Sequence, residues 1–163
     1  MGLPPSGLVD LQPFHLKEVM DLESHILQYS SNEFDTHTKK EILRRFINWA
    51  QEGKCISKGW ENEHGNLIAY FFLVLDSSLI RTFFHPRELE TEECAYLAQI
   101  AVHTDHQGSG VGSYLMELVE SEVKNQGKSH LLLEVHSQSR AYTWYQNREY
   151  KPVCAQVFMA KKL

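Results

Sequence analysis

The segment Gln107-Gly108-Ser109-Gly110-Val111-Gly112 constrains this chain more than any other. Its three glycines alternate with other residues and leave the backbone bare. The run opens onto a helical pattern from Gly110 to Gln126, ended by Gly127. In that pattern Val111, Leu115, Val119 and Val123, joined by Tyr114 and Leu118, form one apolar face. A bulky anion can reach several N–H groups of such a loop at once. The helix start adds unpaired donors and the positive end of the helix dipole. Phosphate or pyrophosphate binding is the chemistry this arrangement serves. A flexible turn before a helix is the simpler reading of any isolated glycine triplet, so the surroundings must decide.

Three kinds of phosphate loop compete. A Walker-type loop needs Gly, four residues, then Gly-Lys-Ser/Thr, and no such Lys is present. A dinucleotide fingerprint, G-x-G-x-x-G, is approached by Gly108, Gly110 and Ser113. Glu134 ends the next strand roughly 20 residues on, where a ribose-binding acid sits. However, His103 to Gln107 separates strand from first glycine, whereas the fingerprint opens almost at once, and too few strand–helix units surround it for a doubly wound sheet. A nicotinamide-dependent oxidoreductase is therefore a remote reading. The third candidate depends on the order of the neighbouring elements.

Those elements follow from periodicity. Leu8–Leu11 reads as a short strand, and a helix follows Pro13 with Leu16, Val19, Met20 and Leu22 as its stripe. A second helix starts near Thr38, with Ile42, Leu43, Phe46, Ile47 and Ala50 at helical spacing, and Gly53 stops it. Cys55–Trp60 and Leu67–Leu75 form a hairpin, and Asp76–Glu90, with Pro86, reads as a surface loop. Tyr96–Val102 is a strand before the glycine loop, and His130–Val135 is a strand after the long helix. A helix near Ser139–Arg148 and a strand pair, Tyr150–Val153 with Gln156–Lys161, complete the order. The expected fold class is α/β, with a central mixed, mostly antiparallel sheet and one parallel βαβ crossover. A ligand belongs at the carboxyl ends of the crossover strands.

Composition sets outer bounds. At 163 residues the chain is expected to be a single domain, with enough surface to bury that it needs no disulfide framework or structural metal. Sixteen Lys and Arg against 21 Asp and Glu give a net charge of −5, which argues against a nucleic-acid partner. It weakly favours a cationic one. Cys55, Cys94 and Cys154 are odd in number and lie in no C-x-x-C pair, as in a reducing compartment. The longest apolar run, Leu67–Leu75, is far short of a membrane span, and Met1-Gly2-Leu3-Pro4-Pro5 has no signal-peptide character. A cytoplasmic protein with no membrane partner is expected. His103-x-x-His106 with Asp105 could suggest a metal, but no zinc spacing accompanies it, and no metal is expected.

Gln107-x-x-Gly110-x-Gly112 matches the Q/R-x-x-G-x-G/A signature of the GNAT superfamily of acyl-CoA-dependent N-acyltransferases. Ala98–His106 resembles the strand and bend that enter this loop in that family. Leu133-Glu134-Val135 and Ala141-Tyr142-Thr143-Trp144-Tyr145 resemble its downstream segment, and Val157–Leu163 is similar to its last strand. The resemblance implies a GNAT fold in which the cosubstrate's pantetheine arm lies between two splayed central strands, here Tyr96–Val102 and His130–Val135. It implies that acetyl-CoA is held by Ile100, Ala101, Val102, Gln107, Gly108, Ser109, Gly110, Val111, Gly112, Ser113 and Gln138. The backbone of Ile100 and Val102 would pair with the arm, and the amides of Gly108 to Gly112 would hold the pyrophosphate.

The implied reaction is direct attack of a neutral amine on the thioester. Tyr145 matches the family's acid for the departing thiolate; as an alternative it is core packing beside Tyr142 and Trp144. Glu134 matches a glutamate that serves as base in some branches, and equally reads as a strand-end residue. Glu92, Glu93, His85 and His136 are weaker candidates for the base. Two departures stand out. The usual Asn before the last helix is replaced near Gln138, and the common Leu-Gly-Phe after the tyrosine is Arg148-Glu149-Tyr150, so a tight glycine turn is expected to be lost. The implied activity is N-acetyl transfer to a primary amine of a small molecule or protein. The alternative is an acyl-CoA sensor without turnover. Family members often pair, so a homodimer is an assembly the resemblance allows. The Leu22–Phe34 segment, Asp76–Glu90 and the C-terminal strands are where the acceptor would be chosen.

Overall fold

Leu67–Val74 (β3) is buried at every position, which requires a strand covered on both faces. It is the middle of a five-stranded sheet in a computed structural model that describes residues 7–26, 36–83 and 89–153. The strands β1 (Leu8–Asp10), β2 (Cys55–Glu61), β3, β4 (Cys94–Val102) and β5 (His130–Leu133) lie side by side in chain order. The first three junctions are antiparallel and β4–β5 is parallel, as the expected crossover requires. The helices are α1 (Leu16–Ile26), α2 (Thr36–Gln51), α3 (Ser77–Phe83), α4 (Val111–Asn125) and α5 (Arg140–Asn147).

Period-two alternation divides the core between the two faces. Tyr70, Phe72 and Val74 join Leu16, Val19 and Leu22 of α1 and Leu43, Phe46 and Ile47 of α2. Phe71 and Leu73 join Val111, Leu115, Met116, Val119 and Val123 of α4, and Tyr145 of α5. The ring of Phe46 stacks on Phe72 at 4.9 Å, which fixes α2 on its face. The apolar positions of α4 expected from its 3.6-residue pattern are the ones that face the sheet.

Two expectations are corrected. Asp76–Glu90 is not all loop. Asp76 accepts a hydrogen bond from the Leu79 N–H at 3.0 Å, which starts α3, and Ile80 is fully buried beneath it. Two turns with one buried side chain carry too little periodicity to be read from sequence. Tyr150–Val153 forms no strand, and its expected partner, Gln156–Lys161, lies outside the described residues. Most other boundaries shift slightly: β4 begins at Cys94, β5 stops at Leu133, and α2 begins at Thr36.

Candidate active site

β4 and β5 pair only from Cys94 opposite His130 to Leu97 opposite Leu133. β4 then continues to Val102 while β5 has ended, so a gap opens along one edge of β4. A bulge lies at the point of divergence. Phe72 stands opposite Gln99 and Leu73 opposite Leu97, which makes Ala98 the extra residue. Bulges bend a strand and increase its twist, and here the bend coincides with the splay. The His103 N–H donates to the Ile68 carbonyl across the β3 junction at 2.8 Å. By antiparallel alternation, Gln99 and Ala101 therefore turn their backbone groups to β3, and Ile100 and Val102 turn theirs to the gap. The buried methyl of Ala101 belongs to the α1–α2 face. The side-chain amide of Gln107 donates to the Val102 carbonyl at 3.0 Å, tying the loop to the strand end.

The glycine loop sits at the open end of this gap. Gly108 and Gly110 have φ of 75° and 93°, the left-handed region that other residues avoid. A β-carbon at either would meet nothing within 4 Å, so backbone conformation, not crowding, demands glycine there. Gly110 caps α4 without any side-chain acceptor, which leaves the N–H groups of Val111, Gly112 and Ser113 without intrahelical partners. Residues 107 to 110 are exposed, whereas the Val111 side chain is buried and anchors the helix start. The hydroxyl of Ser109 donates to the His106 carbonyl and braces the turn. A β-carbon on Gly112 would sit 3.8 Å from the Val102 side chain, an ordinary contact. Bare donors at a positive helix end are what a pyrophosphate needs.

Tyr145 is buried on the α4 face, 5.0 Å from Trp144 and 5.5 Å from Tyr150 between ring centroids. Burial pushes its phenol up to about 12, with Arg148 pulling the other way. Its hydroxyl makes no hydrogen bond among the described residues. Glu134 is exposed just past the end of β5, and its charge, after burial, helps push the Tyr96 phenol up to about 12. Tyr96 belongs to the α1–α2 face and Tyr145 to the α4 face, so Glu134, which acts on Tyr96, and Tyr145 lie on opposite sides of the sheet. Gln138 is exposed in the turn before α5, where its N–H donates to His136 Nδ1 at 3.2 Å, and Ser139 caps the helix. Of the weaker candidates, Glu92 pairs with Arg81, and Glu93 lies beside it at the closed end of the β4–β5 pair. His136 is exposed, and His85 is outside the described residues.

The turn after α5 is not lost. Glu149 itself adopts φ 68°; its N–H donates to the Gln146 carbonyl and the Tyr150 N–H to the Tyr145 carbonyl. This is a Schellman ending made without glycine, and the Tyr150 ring closes against Tyr145 as the motif's apolar contact. The Tyr150 hydroxyl donates to Glu120 of α4 at 2.9 Å, which holds the turn in place. A left-handed non-glycine residue costs about 1–2 kcal/mol. Set against the roughly 0.5–1 kcal/mol of extra backbone entropy that a glycine loses on folding, Glu149→Gly is expected to stabilise the fold by about 1 kcal/mol and to raise the melting temperature by about 2–4 °C, measured by scanning calorimetry.

Sequence reasoning missed a polar row on the α1–α2 face. The hydroxyl of buried Tyr70 donates to Gln99 Oε1 at 2.9 Å, at the bulge. Glu23 of α1 is buried nearby, and its charge, after burial, helps push the Tyr70 phenol up. The signal was present: Glu23 falls four residues after Val19, on the stripe where an apolar residue is expected. Cys55 and Cys94 are buried free thiols, and burial pushes the Cys55 thiol up to about 12, so neither is an exposed nucleophile.

A profile of the Acetyltransferase (GNAT) family matches residues 17–149. No curated protein sequence matches the chain. Among solved structures, an aminoglycoside antibiotic 6'-N-acetyltransferase from Acinetobacter baumannii superposes with a TM-score of 0.68 at 15% identity, over 96% of this chain and 97% of the other. An aminoglycoside N-acetyltransferase in complex with CoA gives 0.67 at 12% identity, over 96% and 99%. A ribosomal-protein-alanine N-acetyltransferase from Brucella melitensis gives 0.65 at 14% identity, over 94% and 97%. At these identities the superpositions establish the shared fold.

Proposed function

Because the chain belongs to the acetyltransferase (GNAT) family, we propose that it transfers an acetyl group from acetyl-CoA directly to a primary amine of a small molecule or protein. The observation that carries this reading is the open edge of β4 leading into an uncapped glycine loop. An extended amide-bearing arm can pair with the backbone of Ile100 and Val102, and a pyrophosphate can take the N–H groups of residues 108–113. Gln107 holds the loop against the strand end, and the Gln138 side chain, exposed before α5, is free to contact the cosubstrate. The cosubstrate supplies the activated acyl group; this chain's residues orient it and move the protons.

Tyr145 is the acid in this proposal. Its phenol keeps its proton at neutral pH, and its hydroxyl has no competing partner among the described residues, so it can donate to a departing thiolate. Glu134, on the opposite side of the sheet and open to solvent, is the base in this proposal, taking a proton from the incoming ammonium through water. The acceptors named for two of the structural neighbours, an aminoglycoside and a ribosomal-protein alanine, support an amine here. The net charge of −5 agrees with a cationic acceptor. A cytoplasmic setting is supported by the buried free thiols of Cys55 and Cys94, and no helix among the described residues is long and apolar enough to cross a membrane.

Free-thiol release from acetyl-CoA, measured across a panel of primary amines and confirmed by product mass, tests the proposal. Amine-dependent release with an acetylated product is expected. Tight acetyl-CoA binding with no release for any amine would instead make the chain a sensor.

A further inference from the structure

Arg148 stands where the family's Leu-Gly-Phe turn carries leucine, and its side chain is only 20% exposed. Its Nε is buried without a hydrogen bond, the one such side-chain atom among the described residues. Its ion-pair partner, Glu120 of α4, lies 3.7 Å from Nη2, and the same carboxylate oxygen accepts the Tyr150 hydroxyl at 2.9 Å. A loose pair with one orphaned nitrogen offsets little of what it costs to take a guanidinium out of water. The dipole of α5 favours a cation at its C-terminal end, but a solvated one would serve that purpose.

The aromatic groups beside Arg148 show where its charge is directed. It follows Trp144 by four residues and Tyr145 by three, so the three side chains share one side of α5. The guanidinium carbon lies 5.2 Å from the centroid of the Trp144 ring, within cation–π range, and that ring meets Tyr145 edge-on at 5.0 Å. Tyr150 packs on Tyr145 at 5.5 Å. Arg148 is thus held in the aromatic cluster around the phenol, and its charge pulls that phenol down against the push of burial.

When Tyr145 gives its proton to the departing sulfur, a phenolate is left in a buried setting that disfavours charge. We propose that Arg148 is a positioning residue for Tyr145, its guanidinium fixed on Trp144 so that it stabilises this phenolate as it forms. The inference rests on Tyr145 being the acid. In that step the C–S bond of the tetrahedral intermediate breaks, its electron pair goes to sulfur, and the Tyr145 proton follows. A proton released by the amine nitrogen returns to the phenolate through solvent. A leucine at 148 would pack on Trp144 and offer the phenolate nothing.

Arg148→Leu and Arg148→Lys are compared in the wild type and in Tyr145→Phe, with Glu120→Gln made alongside. Arg148→Leu is expected to lower kcat about tenfold in the wild type, the effect of one nearby charge, with KM for acetyl-CoA unchanged. In Tyr145→Phe, where no phenolate forms, it should change kcat by less than about twofold. Arg148→Lys keeps a cation and should fall between the wild type and Arg148→Leu. Glu120→Gln leaves the guanidinium in place without its counter-charge, and its kcat should be equal or higher. Arg148→Gln carries the comparison if Arg148→Leu folds poorly. An equal loss from Arg148→Leu in both backgrounds, or from Glu120→Gln as from Arg148→Leu, would make Arg148 a brace between α5 and α4. Either result overturns this inference and leaves Tyr145 as the acid. Turnover by Tyr145→Phe at the wild-type rate removes the acid reading, and this inference with it.

Discussion

Gly110→Pro is expected to weaken acetyl-CoA binding by about a hundredfold, measured by isothermal calorimetry, while the far-ultraviolet spectrum stays that of a folded α/β protein. Proline fixes φ near −65°, and Gly110 stands at 93°, so the cap of α4 cannot keep its conformation. The variant also loses one N–H and places a ring where a pyrophosphate would approach. Loss of one or two charge-assisted hydrogen bonds at about 1.5–3 kcal/mol each accounts for the size of the effect. Gly110→Ala separates conformation from approach. Its β-carbon would enter open space and every donor remains, so it should cost about 1–2 kcal/mol of stability and far less affinity. Equal affinity in the wild type and Gly110→Pro would place the phosphates elsewhere.

Tyr145→Phe is expected to lower kcat by about a hundredfold, the lower end of what a positioned general acid contributes. Acetyl-CoA affinity should be unchanged. Because the hydroxyl makes no hydrogen bond among the described residues, its removal should leave the melting temperature equal or higher. A residue conserving nothing but packing would behave differently, with little change in turnover. The pH profile adds a second reading. Burial raises the phenol to about 12, so the proton is present below that value and lost only as pH rises through it. The wild-type rate should therefore climb with pH as the acceptor amine or its base deprotonates, with no falling limb up to about pH 10. The Phe profile should run parallel and lower. A falling limb near neutrality in the wild type would assign the acid to another group.

The parts legible in the sequence were those whose chemistry is local. Alternate glycines between a strand and a helix announce backbone donors, and the stripe Val111, Leu115, Val119, Val123 announces which face of α4 is buried. The bulge at Ala98 was invisible, because an extra residue in one strand is defined only by its partner's register. α3 was invisible because Ile80 is its one buried residue. Arg148-Glu149-Tyr150 misled in a different way. The absence of glycine predicts the absence of the turn, whereas the backbone hydrogen bonds to Gln146 and Tyr145, with Tyr150 anchored on Glu120, hold Glu149 in a left-handed conformation. Glu23 was written plainly on an apolar stripe, but only its burial gave that irregularity meaning.

Amide hydrogen exchange, read residue by residue by NMR, reports on acetyl-CoA held in the gap between β4 and β5. The N–H groups of Ile100 and Val102 face the open edge, and those of Gly108 to Ser113 surround the uncapped helix start. Saturating acetyl-CoA is predicted to slow exchange at both sets together, with Gln99 and Ala101, already turned to β3, changing least. Protection confined to other parts of the sheet, with Ile100, Val102 and the glycine loop unaltered, would place the cosubstrate outside this gap.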